Sequence, residues 1–193
     1  MLAVLILNPA RLSPAKTFVV SAPSAVQDVT LRDREFGQWN FGGGHLLEVG
    51  FMPGLYELHH GVSLIRFNLS QLPCKKVSSA KLWLYKPKCY IQIKPVKVSV
   101  YAVSNANFEW TEGSSLCAEE YPASTWKCRG SGQPWAGSEG CSKACVDYTL
   151  PALDTQIAPS DCGRWLEFTI PPSLIQSWLD DPDNNARVTY KGQ

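Results

Sequence analysis

Ala80-Lys-Leu-Trp-Leu-Tyr85 alternates its side chains without a break, and Val96-Lys-Val-Ser-Val-Tyr-Ala-Val103 does the same a little further on. Successive side chains of a strand point to opposite faces, so a period of two marks a half-buried strand, whereas a helix places its apolar residues three and four apart. The alternation also runs through Leu46-Leu-Glu-Val-Gly50 and Val62-Ser-Leu-Ile-Arg-Phe-Asn-Leu69, and it returns at Trp165-Leu-Glu-Phe-Thr-Ile170. Gly, Pro or Ser separates the runs, as in an antiparallel all-β fold. The expected fold is an antiparallel β-sandwich with Ile65, Phe67, Leu82, Leu84, Val98, Val100, Leu166 and Phe168 in its core.

Outward from these strands the pattern weakens. Residues 1–25 read as a leader or linker: Met1-Leu-Ala-Val-Leu-Ile-Leu7 is apolar but short and lacks a basic start, and Pro9, Pro14 and Pro23 discourage regular structure. The domain is expected over 26–193, interrupted at 113–163 by a long cysteine-rich insertion with almost no binary pattern. Ser173-Leu-Ile-Gln-Ser-Trp-Leu179 reads as a short helix after two prolines, with Ser173 as its cap. Asp180–Asn185 is a turn cluster, and Ala186-Arg-Val-Thr-Tyr190 opens a last strand. A sandwich whose last strand stops at Gln193 would have an exposed edge, which points to a longer parent chain with further domains.

The 193 residues fit one domain, large enough for a core of its own. Eighteen Lys and Arg against seventeen Asp and Glu leave no global field to gather nucleic acid, so a nucleic-acid partner is not expected. No run approaches the roughly 20 apolar residues of a membrane span. Of seven cysteines, Cys117, Cys128, Cys141, Cys145 and Cys162 crowd into the insertion, which suggests an oxidising compartment and mostly disulfide-bonded cysteines. The odd number leaves at least one thiol over. Zinc is disfavoured because the spacings do not form two C-x-x-C knuckles, and neither a metal nor another cofactor is expected.

The same alternation defines an outward face. It sets Lys81, Trp83 and Tyr85 opposite Ala80, Leu82 and Leu84, and it turns Lys97, Tyr101, Trp165 and Arg66 away from the core. Collected on one sheet, Arg66, Lys81, Trp83, Tyr85, Lys97, Tyr101 and Trp165 would make a ligand-binding platform. Aromatic rings would stack on sugar rings while the cations meet hydroxyls or carboxylates. The competing reading is that the 113–163 insertion covers Trp83, Tyr85 and Trp165 as a second small core, and that Arg66 pairs with a buried carboxylate.

Asp28-Val-Thr-Leu-Arg-Asp33, Asn40-Phe-Gly-Gly-Gly-His-Leu-Leu-Glu-Val-Gly50, Leu64-Ile-Arg-Phe-Asn-Leu-Ser-Gln-Leu-Pro73 and Val77-Ser-Ser-Ala-Lys-Leu-Trp-Leu-Tyr85 resemble the successive blocks of DNRLRE domains, also grouped as carbohydrate-binding module family 96. Trp110-Thr-Glu112 and Trp178 with Asn184-Asn185 resemble two further elements of that family. The resemblance implies a jelly-roll sandwich in secreted or cell-surface proteins, with an acidic polysaccharide such as alginate as partner. A shorter likeness, Phe67–Leu82, is to the propeptides of transforming-growth-factor-type cytokines.

Catalysis finds little support in the residues. His45, His59 and His60 are the only histidines, the His59-His60 pair reads as loop, and no G-x-S-x-G or H-E-x-x-H occurs. Phe41-Gly-Gly-Gly-His45 lacks the Lys-Ser/Thr of a phosphate loop and reads as a flexible turn. Glu119-Glu120 are adjacent, whereas glycosidase acids flank a bond from opposite sides. The sequence therefore predicts a non-catalytic, secreted or surface carbohydrate-binding module, with a structural or protein-interaction module as the alternative.

Overall fold

The computed structural model describes residues 3–9, 17–53, 58–73, 76–87, 95–181 and 187–192. In chain order its strands are β1 (Ala3–Pro9), β2 (Phe18–Val20), β3 (Val26–Arg32), β4 (Gly50–Pro53), β5 (Leu58–Phe67), β6 (Val77–Lys86), β7 (Val96–Ala102), β8 (Cys128–Gly130), β9 (Gln133–Pro134), β10 (Asp154–Ala158), β11 (Arg164–Ile170) and β12 (Arg187–Gly192). Among the described residues one α-helix, α1 (Pro172–Asp180), follows β11. The smaller main sheet has the order β11-β6-β1-β2 and the larger β10-β7-β12-β5-β3, with β4 added on β5. Their strand pairings are antiparallel.

The inner faces meet in one core. Leu5, Leu7, Leu82, Leu84, Phe168 and Ile170 come from the smaller sheet, and Ile65, Phe67, Val98, Val100, Val188 and Tyr190 from the larger. All eight core residues read from the alternation are buried. Each such side chain contributes about 1.5–3 kcal/mol by leaving water.

The two ends of the chain depart from expectation. The apolar run read as a leader is β1, paired with β6 from Ala3 opposite Leu84 to Leu7 opposite Ala80, with Leu5 and Leu7 buried. The last strand is not an edge: β12 lies between β5 and β7 and bonds to both. His59 and His60 belong to β5, not to a loop, and His59 is buried with Nε2 3.5 Å from Glu48 Oε2. Leu46–Val49 is not a strand; pairing begins at Gly50. Helix α1 starts after Pro171 with no side-chain cap, so Ser173 does not cap it. Of the turn cluster expected over Asp180–Asn185, Asp180 ends α1 and Asp181 is its C-cap, and residues 182–185 lie outside the described residues.

The cysteine-rich stretch covers the outer face of the larger sheet. Val29 and Leu31 of β3 and Leu64 of β5 pack there with Val103, Trp110, Trp135 and Cys141, flanked by Trp126. Cross-linking was expected to hold this segment, yet Cys117, Cys128, Cys141 and Cys145 are free thiols; of the five, Cys162 is disulfide-bonded. Hydrogen bonds to a buried carboxylate organise it instead. Asp147, wholly buried, accepts the main-chain N–H groups of Gly137 (2.7 Å), Ser138 (2.9 Å) and Lys143 (2.8 Å) and the Asn107 Nδ2 (2.8 Å). A buried charge is tolerated when it is hydrogen-bonded in this way.

The glycine run is the expected turn, closed by the Gly44 N–H donating to the Phe41 carbonyl at 3.1 Å, but it is tightly packed. A Cβ on Gly42 would stand 1.9 Å from the Glu112 carbonyl oxygen and one on Gly43 2.1 Å from that of Ser114. The chain passes that closely because buried Asn40 ties both segments: Nδ2 donates to the Glu112 and Ser124 carbonyls (2.7 and 2.8 Å), and Oδ1 accepts from Gly42 N (2.9 Å).

Candidate functional site

In the smaller sheet the register sets Trp165 opposite Tyr85, Glu167 opposite Trp83 and Thr169 opposite Lys81. The Thr169 N–H points away from β6 and donates to Asp154 Oδ2 at 2.7 Å. Amides two residues apart on a strand share a direction, so those of Glu167 and Trp165 also point away from β6. These pairs are therefore the non-hydrogen-bonded pairs of the ladder, in which opposite side chains approach most closely.

That geometry gathers the rings. Tyr85 and Trp165 lie 5.0 Å apart at 48°, and Trp83 meets Trp165 edge-on at 6.4 Å and 79°. Trp165 is 45% exposed, while Trp83 and Tyr85 are half-buried behind it. The Trp83 Nε1 is buried with no hydrogen-bond partner among the described residues, and its half-buried ring packed against Trp165 makes Trp83 a support for Trp165 more than a platform of its own. Lys81 Nζ lies 2.5 Å from Glu167 Oε1 beside the rings.

Beside this cluster an open groove of about 490 Å³ runs between β10 and β11, the neighbouring edges of the two sheets. Gln156, Ile157, Asp161, Arg164, Trp165 and Glu167 line it. Arg164 Nε donates to Asp161 Oδ2 at 2.7 Å, and that bond holds the Asp161 carboxyl below its ordinary range. Lys86 Nζ donates to the Pro159 carbonyl, and burial lowers its pKa.

The single seven-residue platform does not form. Lys81, Trp83, Tyr85 and Trp165 share the outer face of the smaller sheet, whereas Arg66, Lys97 and Tyr101 lie on the larger sheet, facing the other way. Arg66 sits under the cysteine-rich stretch, 4.6 Å over the Trp110 ring, and Nη2 donates to the Phe108 and Trp110 carbonyls at 2.8 Å each. Its hydrogen bonds thus go to carbonyls, Gln27 Oε1 (3.1 Å) among them, while the part-buried Glu112 carboxylate acts on it through its charge. Tyr101 is buried against Tyr148, ring to ring at 4.8 Å. Lys97 is exposed and pairs in register with Ile157, which puts it next to the groove. The cover expected over Trp83, Tyr85 and Trp165 lies on the opposite sheet.

Sequence reasoning missed Gln156, Ile157, Asp161 and Arg164, because they fall in or beside the stretch assigned to the insertion. The only signal was the short Thr155-Gln-Ile-Ala158 run. Glu120 serves its own loop, accepting from Ser114 N (2.8 Å) and Ser115 N (2.7 Å), and these bonds lower its pKa. Among the described residues no group of His, Cys, Asp or Glu is arranged to hold a metal ion, and no helix is long and apolar enough to cross a membrane.

Residues 20–123 match carbohydrate-binding module family 96, which is more than half of the chain. The chain belongs to this family. The matched residues include Lys81, Trp83 and Tyr85 of the module's ring cluster, whereas Trp165 and the groove lie beyond them. No curated protein matches the chain.

Proposed function

We propose that this carbohydrate-binding module is a non-catalytic part of a secreted or cell-surface protein and holds an acidic polysaccharide at the Trp165–Tyr85–Trp83 cluster. The observation that carries the reading is the Trp165 ring, half exposed, backed by two further aromatic rings and standing on the lip of a groove. Lys81, Lys86 and Arg164 balance Asp154, Asp161 and Glu167 at the site, and the exposed Lys97 next to it adds the positive charge that favours a chain bearing carboxylates. Asp161 and Glu167 are each engaged by a cation, at 2.7 and 2.5 Å, which disfavours either as a proton donor in catalysis. Passage of β5, β6 and β7 from one sheet to the other and back supports a jelly-roll connection.

Electrophoresis of the folded domain in native gels cast with and without alginate tests the proposal. Retardation by the polysaccharide is expected for the parent and not for Trp165→Ala. Equal mobility of the parent in both gels, and in gels cast with neutral glucans, would overturn it. One observation favours the alternative of a protein-interaction module: among the described residues no strand pairs with the outer edge of β11, where an extended peptide would pair.

A further inference from the structure

The free edge of β11 decides between those occupants. Beyond β11 the smaller sheet has no further strand among the described residues, and the N–H and C=O groups of Trp165 and Glu167 face the groove. The next amide on that edge, Thr169, is already taken by Asp154 Oδ2. Asp154 also accepts from Thr155 N at 2.6 Å and from Gln156 Nε2 at 3.2 Å, so its carboxylate is fixed in place. An added β-strand needs a run of about three or more paired residues. The ladder here offers Trp165 and Glu167, a run of three residues at the lower limit of a strand, before Asp154 closes it.

Isolated N–H and C=O groups suit hydroxyls, which donate and accept singly and need no continuing ladder. The walls agree with that occupant. The half-exposed Trp165 ring gives one apolar surface, Ile157, 59% exposed, gives the other, and Gln156 and Arg164 supply polar ends between them. We infer that the polysaccharide lies lengthwise along the free edge of β11, one sugar ring against Trp165 and its hydroxyls paired with the main chain of Trp165 and Glu167. The groove is open, so it accepts an internal segment of the chain rather than a chain end. This inference rests on the carbohydrate reading above and adds where the chain runs and which part of it is held.

The test is titration of the ¹⁵N-labelled domain with a hexasaccharide made from alginate, with a neutral glucan hexasaccharide alongside. The amides of Trp165 and Glu167 are expected to shift most, and that of Thr169, held by Asp154, to shift less. Gln156→Trp, whose ring would fill the groove, is expected to weaken binding by about tenfold or more; should that variant not fold, the titration of the parent decides. Reducing the sugar at the chain end is expected to leave affinity unchanged. Shifts confined to Lys81 and the Trp83 indole, with the Trp165 and Glu167 amides still, would overturn the edge placement and leave carbohydrate binding standing. No shift with either hexasaccharide would overturn both.

Discussion

Glu112 Oε1 accepts the main-chain N–H of Asp28 at 3.0 Å, joining β3 of the larger sheet to the start of the cysteine-rich stretch. The contact brings two carboxyl groups together. Burial, and then the charge of Glu112, raises the Asp28 carboxyl from 3.8 to about 6. Burial raises Glu112 as well, against the Asp28 N–H and Arg66.

An acid whose folded pKa lies above its unfolded one binds its proton more tightly when folded. Asp28 therefore weakens the fold as pH rises from about 4 to about 6, and the penalty is complete above that window. Asp28→Asn should flatten the stability profile across that interval and add on the order of 1–2 kcal/mol at pH 7, the full shift being reduced for partial solvent access. Urea unfolding at a series of pH values measures both. An Asn variant with the parent's slope between pH 4 and 6 would contradict the assignment.

Asp147 should matter more to the cysteine-rich stretch than any of its free thiols. Asp147→Ala strands three main-chain N–H groups and the Asn107 amide in a buried site, where each orphaned donor costs about 1–3 kcal/mol. Loss of the near-ultraviolet dichroism of Trp126 and Trp135 is expected while the far-ultraviolet strand signal persists, because the main core does not depend on Asp147. Unchanged tryptophan dichroism would show that the second core holds without it.

Thiol chemistry should follow burial. Cys117 and Cys145 are exposed, while Cys141 is buried and desolvation pushes its thiol well up. In native protein an alkylating reagent should modify Cys117 and Cys145 first and spare Cys141 until the chain unfolds. Peptide mapping by mass spectrometry reads the order. Cysteines 117, 128, 141 and 145 found paired in the native domain would restore the cross-linked picture that composition suggested.

The sandwich was legible because alternation is a local signal: Leu82 and Leu84 declare one face of β6, and Trp83 and Tyr85 the other. Which sheet a strand joins is not local. Arg66 and Trp83 both point outward, and only the pairing of β5 with β3 and of β6 with β11 shows that they look in opposite directions. Strand β1 escaped for a related reason: Val4 and Ile6 are half-buried while Leu5 and Leu7 are fully so, which removes the alternation and leaves an apolar run resembling a leader. Asp147 carried no signal at all, since its partners are mainly main-chain amides gathered by the tertiary fold.

The ring cluster and its ion pair give binding two separable contributions. Trp165→Ala removes an apolar contact that salt does not screen, so affinity for an acidic polysaccharide should fall by about tenfold at every ionic strength. Lys81→Ala removes a charge and releases Glu167 toward the ligand. Its effect should be largest at low salt and fade as the Debye length shortens below about 10 Å. Phe51, 71% exposed on β4 of the other sheet, provides the control: Phe51→Ala should bind as the parent does. All three side chains lie outside the main core, so thermal unfolding should stay close to the parent and confirm that affinity alone has changed. If Phe51→Ala lost retention and Trp165→Ala kept it, the site would belong on the larger sheet and the groove would be empty of function.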